Sequence, residues 1–223
     1  MYKTETHLHT SEVSSCSKLT ASEMMELYSK AGYTTVFVTD HFKASYFEKR
    51  GDSSWEENVE WLFSGYENAK AAGEGLGINV IMGLEIHLAS TKNHYLLYGL
   101  KKDFIKNKPD ILKMDISELY RYAKENGVFV VQAHPYRDGV CYPTPEYVDA
   151  IEVINRNPRH ENFDEKAIAK ALECRKPMTS GSDAHRPEDI ATSGVITENQ
   201  IRNTEDYISA MLSGKMKLIG GNV

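Results

Sequence analysis

Strand-period and helix-period segments alternate along this chain from end to end, and that alternation constrains the fold more than any other feature, because it builds parallel β-α units rather than a sandwich or a helical bundle. Strands are expected at about residues 2–9, 34–39, 79–87, 94–99, 128–134, 147–155, 177–182, 194–197 and 217–219, and helices near 22–31, 54–73, 116–126, 163–174 and 204–212. The first helix carries Met24, Leu27, Tyr28 and Ala31 at helical spacing, with Gly32 placed to cap it. The run Thr34-Thr35-Val36-Phe37-Val38-Thr39 is β-branched and continuous, as expected of a strand covered on both faces. No linker, repeat or low-complexity block divides the 223 residues, so one α/β domain of about seven β-α units is expected over 1–223, most simply a closed barrel. An open doubly wound sheet is the competing architecture. No G-x-G-x-x-G or Walker-type loop supports a nucleotide-binding version of it.

Composition narrows the function classes. A hydrophobic share of 41% and a charged share of 26% are globular values, and 26 basic against 32 acidic residues leave a net charge of −6. An acidic chain without a basic cluster is a poor match for a phosphate backbone, so no nucleic-acid partner is expected. No basic stretch leads into an apolar one near Met1, and no apolar run approaches the ~20 residues a bilayer needs; a cytoplasmic location with no membrane partner is expected. Cys16, Cys141 and Cys174 are widely spaced with no C-x-x-C pair, which argues against a disulfide framework or a thiolate zinc site. Cys16 alone stays a weak candidate ligand, since it lies close to a histidine motif.

The histidines decide the reading. Six of the eight fall at or beside strand ends, the rim on which α/β barrels build active sites. His7 and His9 form an H-x-H whose strand alternation turns both imidazoles to one face. His41 closes Thr39-Asp40-His41, Glu85 follows Gly83-Leu84, His134 ends a strand before Pro135, and Asp183 and His185 share Gly181-Ser182-Asp183-Ala184-His185. His94 is the positional exception, because it begins its segment. Singly, each is readily a satisfied polar residue; independent core histidines have no reason to gather on the strand ends of separate units together with Glu85 and Asp183. Imidazole with carboxylate suits zinc, manganese or iron rather than calcium.

These motifs resemble those of the polymerase and histidinol phosphatase (PHP) family: His7-Leu8-His9, Thr39-Asp40-His41, Ala133-His134-Pro135 and Ser182-Asp183-Ala184-His185, in the family's order, with Gly83-Leu84-Glu85 between them. The resemblance implies a distorted (β/α)7, TIM-like barrel with two or three divalent cations at the C-terminal rim of its strands. It assigns His7, His9, Glu85 and Asp183 to one cation, Glu85, His94 and His134 to a second, and His41 with His185 to a third. The family usually supplies a further Asp or His shortly after the H-x-H, where this chain has Ser14, Ser15 and Cys16. Glu12 is the nearest carboxylate and the expected substitute ligand, the alternative being a helix-capping or solvent-facing glutamate. His87 shares the strand face of Glu85 but is expected to donate to a neighbour, His160 is expected on the surface, and Asp40 is expected to orient ligands rather than to bind metal.

Such a centre lowers the pKa of a bridging water and polarises a phosphoryl oxygen, which points to hydrolysis of a small phosphate monoester by metal-bound hydroxide. Glu85, His134, Asp183 and His185 are the expected catalytic residues. Arg137, Arg156, Arg186 and Lys43 are the expected phosphate-binding cations, each with the alternative of a solvated loop charge. Histidinol phosphate is the first substrate to consider; mononucleotides and phosphotyrosine fit the same chemistry, and a non-catalytic, metal-stabilised barrel is the reading from a different class. The aromatics Phe42, Tyr46, Phe47 and Trp55 either cover the substrate as a lid or pack their loop onto the barrel.

Overall fold

The computed structural model describes residues 1–221. Its strands are β1 (Tyr2–Leu8), β2 (Thr35–Val38), β3 (His41–Phe42), β4 (Asn79–His87), β5 (His94–Tyr98), β6 (Phe129–Ala133), β7 (Ala150–Asn155), β8 (Met178–Gly181), β9 (Gly194–Thr197) and β10 (Met216–Ile219). The helices are α1 (Ala21–Lys30), α2 (Ala44–Glu48), α3 (Trp55–Leu76), α4 (Lys102–Lys106), α5 (Ile116–Glu125), α6 (Asp164–Glu173) and α7 (Thr204–Leu212). All the strands join one sheet in the order β10-β9-β1-β2-β4-β5-β6-β7-β8, with the short β3 paired to β4. A parallel bridge between Leu8 and Ala184, just past β8, brings the last strand back to β1 and nearly closes a barrel of β1, β2 and β4 to β8. The His9 amide holds that seam by donating to the Ala184 carbonyl at 3.0 Å.

The expected barrel is present, but its β-α alternation is broken in two places. β5 runs antiparallel to both β4 and β6. Its link to β4 is residues 88–93, too short for the dozen or more residues that a parallel crossover needs, so the chain has to turn back. β6 and β7 are parallel, yet only 3-10 turns at Arg137–Gly139 and Pro145–Tyr147 lie between them. The reversal explains the exceptional histidine: the first residue of an antiparallel strand stands beside the last residues of its neighbours, and His94 pairs with His87 on one side and Ala133 on the other.

Local sequence fixes the helix starts. Thr20 with Glu23, Ser54 with Glu57 and Asp115 with Glu118 form reciprocal capping boxes at α1, α3 and α5, each worth about 1 kcal/mol. The helices bury apolar faces against the sheet: Met24, Met25 and Tyr28 of α1 pack with Leu8, Val36 and Val38, and Leu62 and Phe63 of α3 pack with Leu84 and Ile86. Phe37, Tyr98, Val131, Val195 and Tyr207 form another cluster that ties α7 and β9 to the barrel strands. At about 1.5–3 kcal/mol for each fully buried large side chain, these faces anchor the strands whose ends carry the histidines. Two glycines let backbone approach that end closely. A Cβ on Gly65 of α3 would stand 2.2 Å from Asp40 Oδ2, and one on Gly181 of β8 would stand 2.5 Å from the His7 Cβ.

Candidate metal centre

Residues at or just past the ends of β1, β6 and β8, at the starts of β3 and β5, and near the end of β4 meet in one buried knot. His7 Nε2 and His9 Nε2 lie 3.1 Å apart, and Asp183 Oδ1 is 3.5 Å from the first and 3.1 Å from the second. Glu85 completes the set, with Oε1 3.5 Å from His7 Nε2 and Oε2 3.6 Å from His9 Nε2. Four donors around one tetrahedral cation with arms of about 2.0–2.2 Å stand about 3.3–3.6 Å from one another, so the spacing matches a metal's coordination sphere. The same Glu85 faces a second group: Oε1 is 2.9 Å from both His94 Nδ1 and His134 Nε2, and Oε2 is 2.6 Å from His41 Nδ1. A third set, His9, His41 and His185, has its ligand atoms within 4.8 Å of one another.

Four buried atoms in the knot make no well-aligned hydrogen bond: His41 Nδ1 and Glu85 Oε2, which face each other at 2.6 Å, together with His134 Nδ1 and Asp183 Oδ1. Unpaired buried acceptors are costly, and a cation satisfies several at once. The donor set therefore fits divalent metal.

The electrostatics agree. Burial alone would raise the Glu85 and Asp183 carboxyls, but the imidazoles around Glu85 and the Arg137 and His7 charges beside Asp183 hold both well below the usual carboxylate range. Burial, and then the neighbouring Arg137, push His134 down to about 3, while burial with His41 and His185 keeps His9 neutral as well. Against burial, the carboxylates beside His7 and His41 hold those imidazoles above their usual range, so a bound cation would take the place of protons there, while His9 and His134 are neutral already.

A supporting layer aims the ligands. Glu152 of β7 accepts from His7 Nδ1 at 2.9 Å, which turns Nε2 inward, and its other oxygen accepts the His134 amide at 3.1 Å. Ser14 donates to Asp40 at 2.7 Å and accepts the His41 amide, with His9 Nδ1 3.3 Å away. Asp40 also accepts the Thr10 amide and hydroxyl, so it orients the centre from behind. The backbone is strained at two ligands, with φ of +29° at His134 and +51° at Asp183. Such conformations cost about 1–3 kcal/mol each and persist where the surroundings dictate them.

A family model described as PHP domain matches residues 5–173, most of the chain. The chain belongs to the PHP domain family. A second model, described as PHP-associated, matches residues 160–216, the stretch that carries Asp183 and His185 in this PHP chain. No curated protein matches it. Among solved structures it is similar to a two-domain protein of Bacteroides vulgatus described as containing a predicted PHP-like metal-dependent phosphoesterase, with TM-score 0.70 and 18% identity over 97% of this chain, which spans 64% of that one. It is also similar to PsfC from Pseudomonas syringae (TM-score 0.63, 17% identity, 99% of this chain and 92% of that). A third is a lesion-specific endonuclease from Pyrococcus furiosus (TM-score 0.62, 15% identity, 97% of this chain and 57% of that). At these identities the likeness carries the fold.

The PHP knot gathers His7, His9, His41, Glu85, His94, His134, Asp183 and His185 as expected, and departs from expectation elsewhere. Glu12 is not in it: both its carboxylate oxygens accept the Ala21 amide at 3.0 Å, capping α1, which is the alternative role. Arg156 is also elsewhere, paired to Asp164 and bonded to the Gly220 carbonyl. Arg137 lines the cleft, with Nη2 2.6 Å from Asp183 Oδ2 and 2.9 Å from Asn155 Oδ1 and Nε 3.0 Å from Asn162 Oδ1. Arg186 and Lys43 do line the cleft above the knot, a space of about 410 Å³ that Lys92, Arg159 and His160 also border. His87 bonds the Thr91 carbonyl at 2.9 Å, as anticipated. His160 is exposed, as expected, and stands at the border of the cleft with Nδ1 2.7 Å from Asp138 Oδ2. Phe47 contacts Phe42 and stands edge-on to Trp55 and Trp61, and all four pack against the barrel core, whereas Tyr46 stands edge-on to His41.

Glu152, Ser14 and Arg159 went unrecognised in the sequence. Glu152 left a signal, the lone carboxylate in the buried Ala150–Asn155 strand, where burial demands a partner. Arg159, bidentate on the buried Asp189 that accepts the His185 amide, left none.

Proposed function

We propose that this PHP domain hydrolyses a small phosphate monoester, with two or three zinc, manganese or iron ions held by the knot. The observation that carries the reading is the carboxylate of Glu85, shared between two imidazole groups at the floor of a cleft whose rim carries uncommitted cations. The bound metals would supply Lewis acidity toward a phosphoryl oxygen and an activated water at neutral pH.

The chain's own residues do the rest. Glu85 fixes the separation of the two ligand groups, and Asp183, held by Arg137, closes the first of them. Arg186 has a buried Nε with no partner, and Lys43 has its ammonium over the Tyr46 ring at 4.2 Å; both are placed to take the ester's non-bridging oxygens. Asp138 anchors His160 through Nδ1, which leaves Nε2 facing outward to pass a proton to the departing alcohol. A cleft of about 410 Å³ suits a small molecule, and a net charge of −6 disfavours a nucleic-acid strand.

The test is phosphate release by the metal-loaded protein from histidinol phosphate, mononucleotides and phosphotyrosine in parallel. Histidinol phosphate is the expected preferred substrate. Preference for another member keeps the phosphoesterase and replaces its substrate; inertness toward the whole panel sinks the reading.

A further inference from the structure

β1 is irregular where it delivers its first histidine. It pairs with β2 through Thr4 with Thr35 and Glu5 with Val36, but then through Leu8 with Val38, so three steps along β1 match two along β2 and the strand bulges at Thr6 and His7. A bulge leaves backbone groups outside the ladder and re-aims the side chain it carries. The Glu5 carboxylate takes up those groups: Oε1 accepts the Thr6 and His7 amides, each at 2.9 Å. The same oxygen accepts the Ser182 amide at 3.0 Å, while Oε2 accepts the Ser182 hydroxyl and, at 2.7 Å, the Tyr28 hydroxyl of α1. Glu5 is wholly buried and belongs to none of the three ligand groups.

The seam that Glu5 spans has little else to set its spacing. Among the described residues, the chain after β8 meets β1 through the Leu8–Ala184 bridge rather than through a ladder. Asp183 stands between Ser182 and that bridge with φ of +51°, a conformation its surroundings must impose.

We propose that Glu5 is the positioning residue of the first cation: by holding the bulge at His7 and the turn at Ser182 on one carboxylate, it sets the distance from the His7–His9 pair to Asp183. Glu5 itself touches neither cation nor substrate. Tyr28 braces the carboxylate from α1, so a helix that carries no ligand is coupled to the centre. The second group, Glu85, His94 and His134, is carried by β4, β5 and the end of β6, which do not border the seam, so its cation is independent of Glu5. The inference rests on the metal-centre reading above, and the test separates the two.

Cobalt(II) titration of the chelated protein, followed by visible absorption and by competition with a chelator, reads the effect. Glu5→Ala is expected to weaken one cation about 10- to 100-fold and to change its absorption, with the other bound as in the wild type. Glu5→Gln, whose amide oxygen still accepts from the bulge, is expected to restore most of that affinity. Tyr28→Phe is expected to weaken the same cation about 2- to 10-fold, the worth of one neutral hydrogen bond. Wild-type affinity for every cation in Glu5→Ala and Tyr28→Phe, or an equal loss of all cations, overturns the positioning role whatever happens to Tm; if Glu5→Ala does not fold, Tyr28→Phe decides by the same criterion. A wild type that binds no cobalt overturns the metal-centre reading, and this inference with it.

Discussion

Arg137 Nη2 stands 2.6 Å from Asp183 Oδ2, a charge-assisted contact between a loop after β6 and the end of β8, and it leaves Asp183 Oδ1 turned toward His7 and His9. On the proposed reading, the arginine would act on the metal first and on substrate through it. Arg137→Ala is expected to weaken cation binding about 10- to 100-fold, the usual effect of removing a group that orients a ligand. Competition against a chelator measures this; an unchanged metal affinity with a raised KM would instead make Arg137 a substrate contact.

Arg186 makes the opposite prediction. Its Nε is buried without a partner, and its Nη1 makes only a long ion pair of 3.9 Å with Glu188, which a phosphoryl oxygen would displace. Arg186→Ala is expected to lower kcat/KM about 10- to 100-fold, the worth of about 1.5–3 kcal/mol for a charged hydrogen bond, with metal content unchanged. Steady-state kinetics beside metal analysis checks it, and a loss of metal would contradict the assignment.

Much of this was legible before the structure. The gathering of these side chains could be read because strand alternation and strand-end placement leave few positions for a histidine to reach a common rim, and His7, His9, His134 and Asp183 obey that geometry. His94 was out of place only because direction within a sheet depends on the link length, here residues 88–93. The errors concern long side chains. Glu12 and Arg156 were near the site in sequence, but a flexible stem lets the charge go wherever a partner waits, the α1 N-terminus for one and Asp164 for the other. Support from Glu152 and Arg159 comes from distant segments, which no spacing rule reports.

Protons and metal compete at His41. In the metal-free protein, burial works against its cation, but Glu85 and Cys16 overcome burial and raise the pKa to about 9. A folded-state value above the unfolded one of about 6.5 contributes stability that is fully present below pH about 6.5 and is lost as pH rises through 9. Metal has to displace that proton, so its affinity at this position climbs over the same window, by up to about tenfold per pH unit. Thermal melts of chelated protein should therefore fall in Tm from pH 6.5 to 9 while metal affinity rises. A metal affinity flat across that window would contradict the protonated His41.

The most direct measurement of the central claim is phosphate release and metal content on the same preparations of wild type, His9→Ala and Asp183→Ala, before and after chelation and reconstitution. Two or three divalent cations per chain are expected in the wild type, with activity abolished by the chelator, restored by metal, and reduced at least about a thousandfold in both variants alongside lost cations. A folded, metal-loaded wild type with no phosphoesterase activity, or activity that survives both substitutions, would contradict the account.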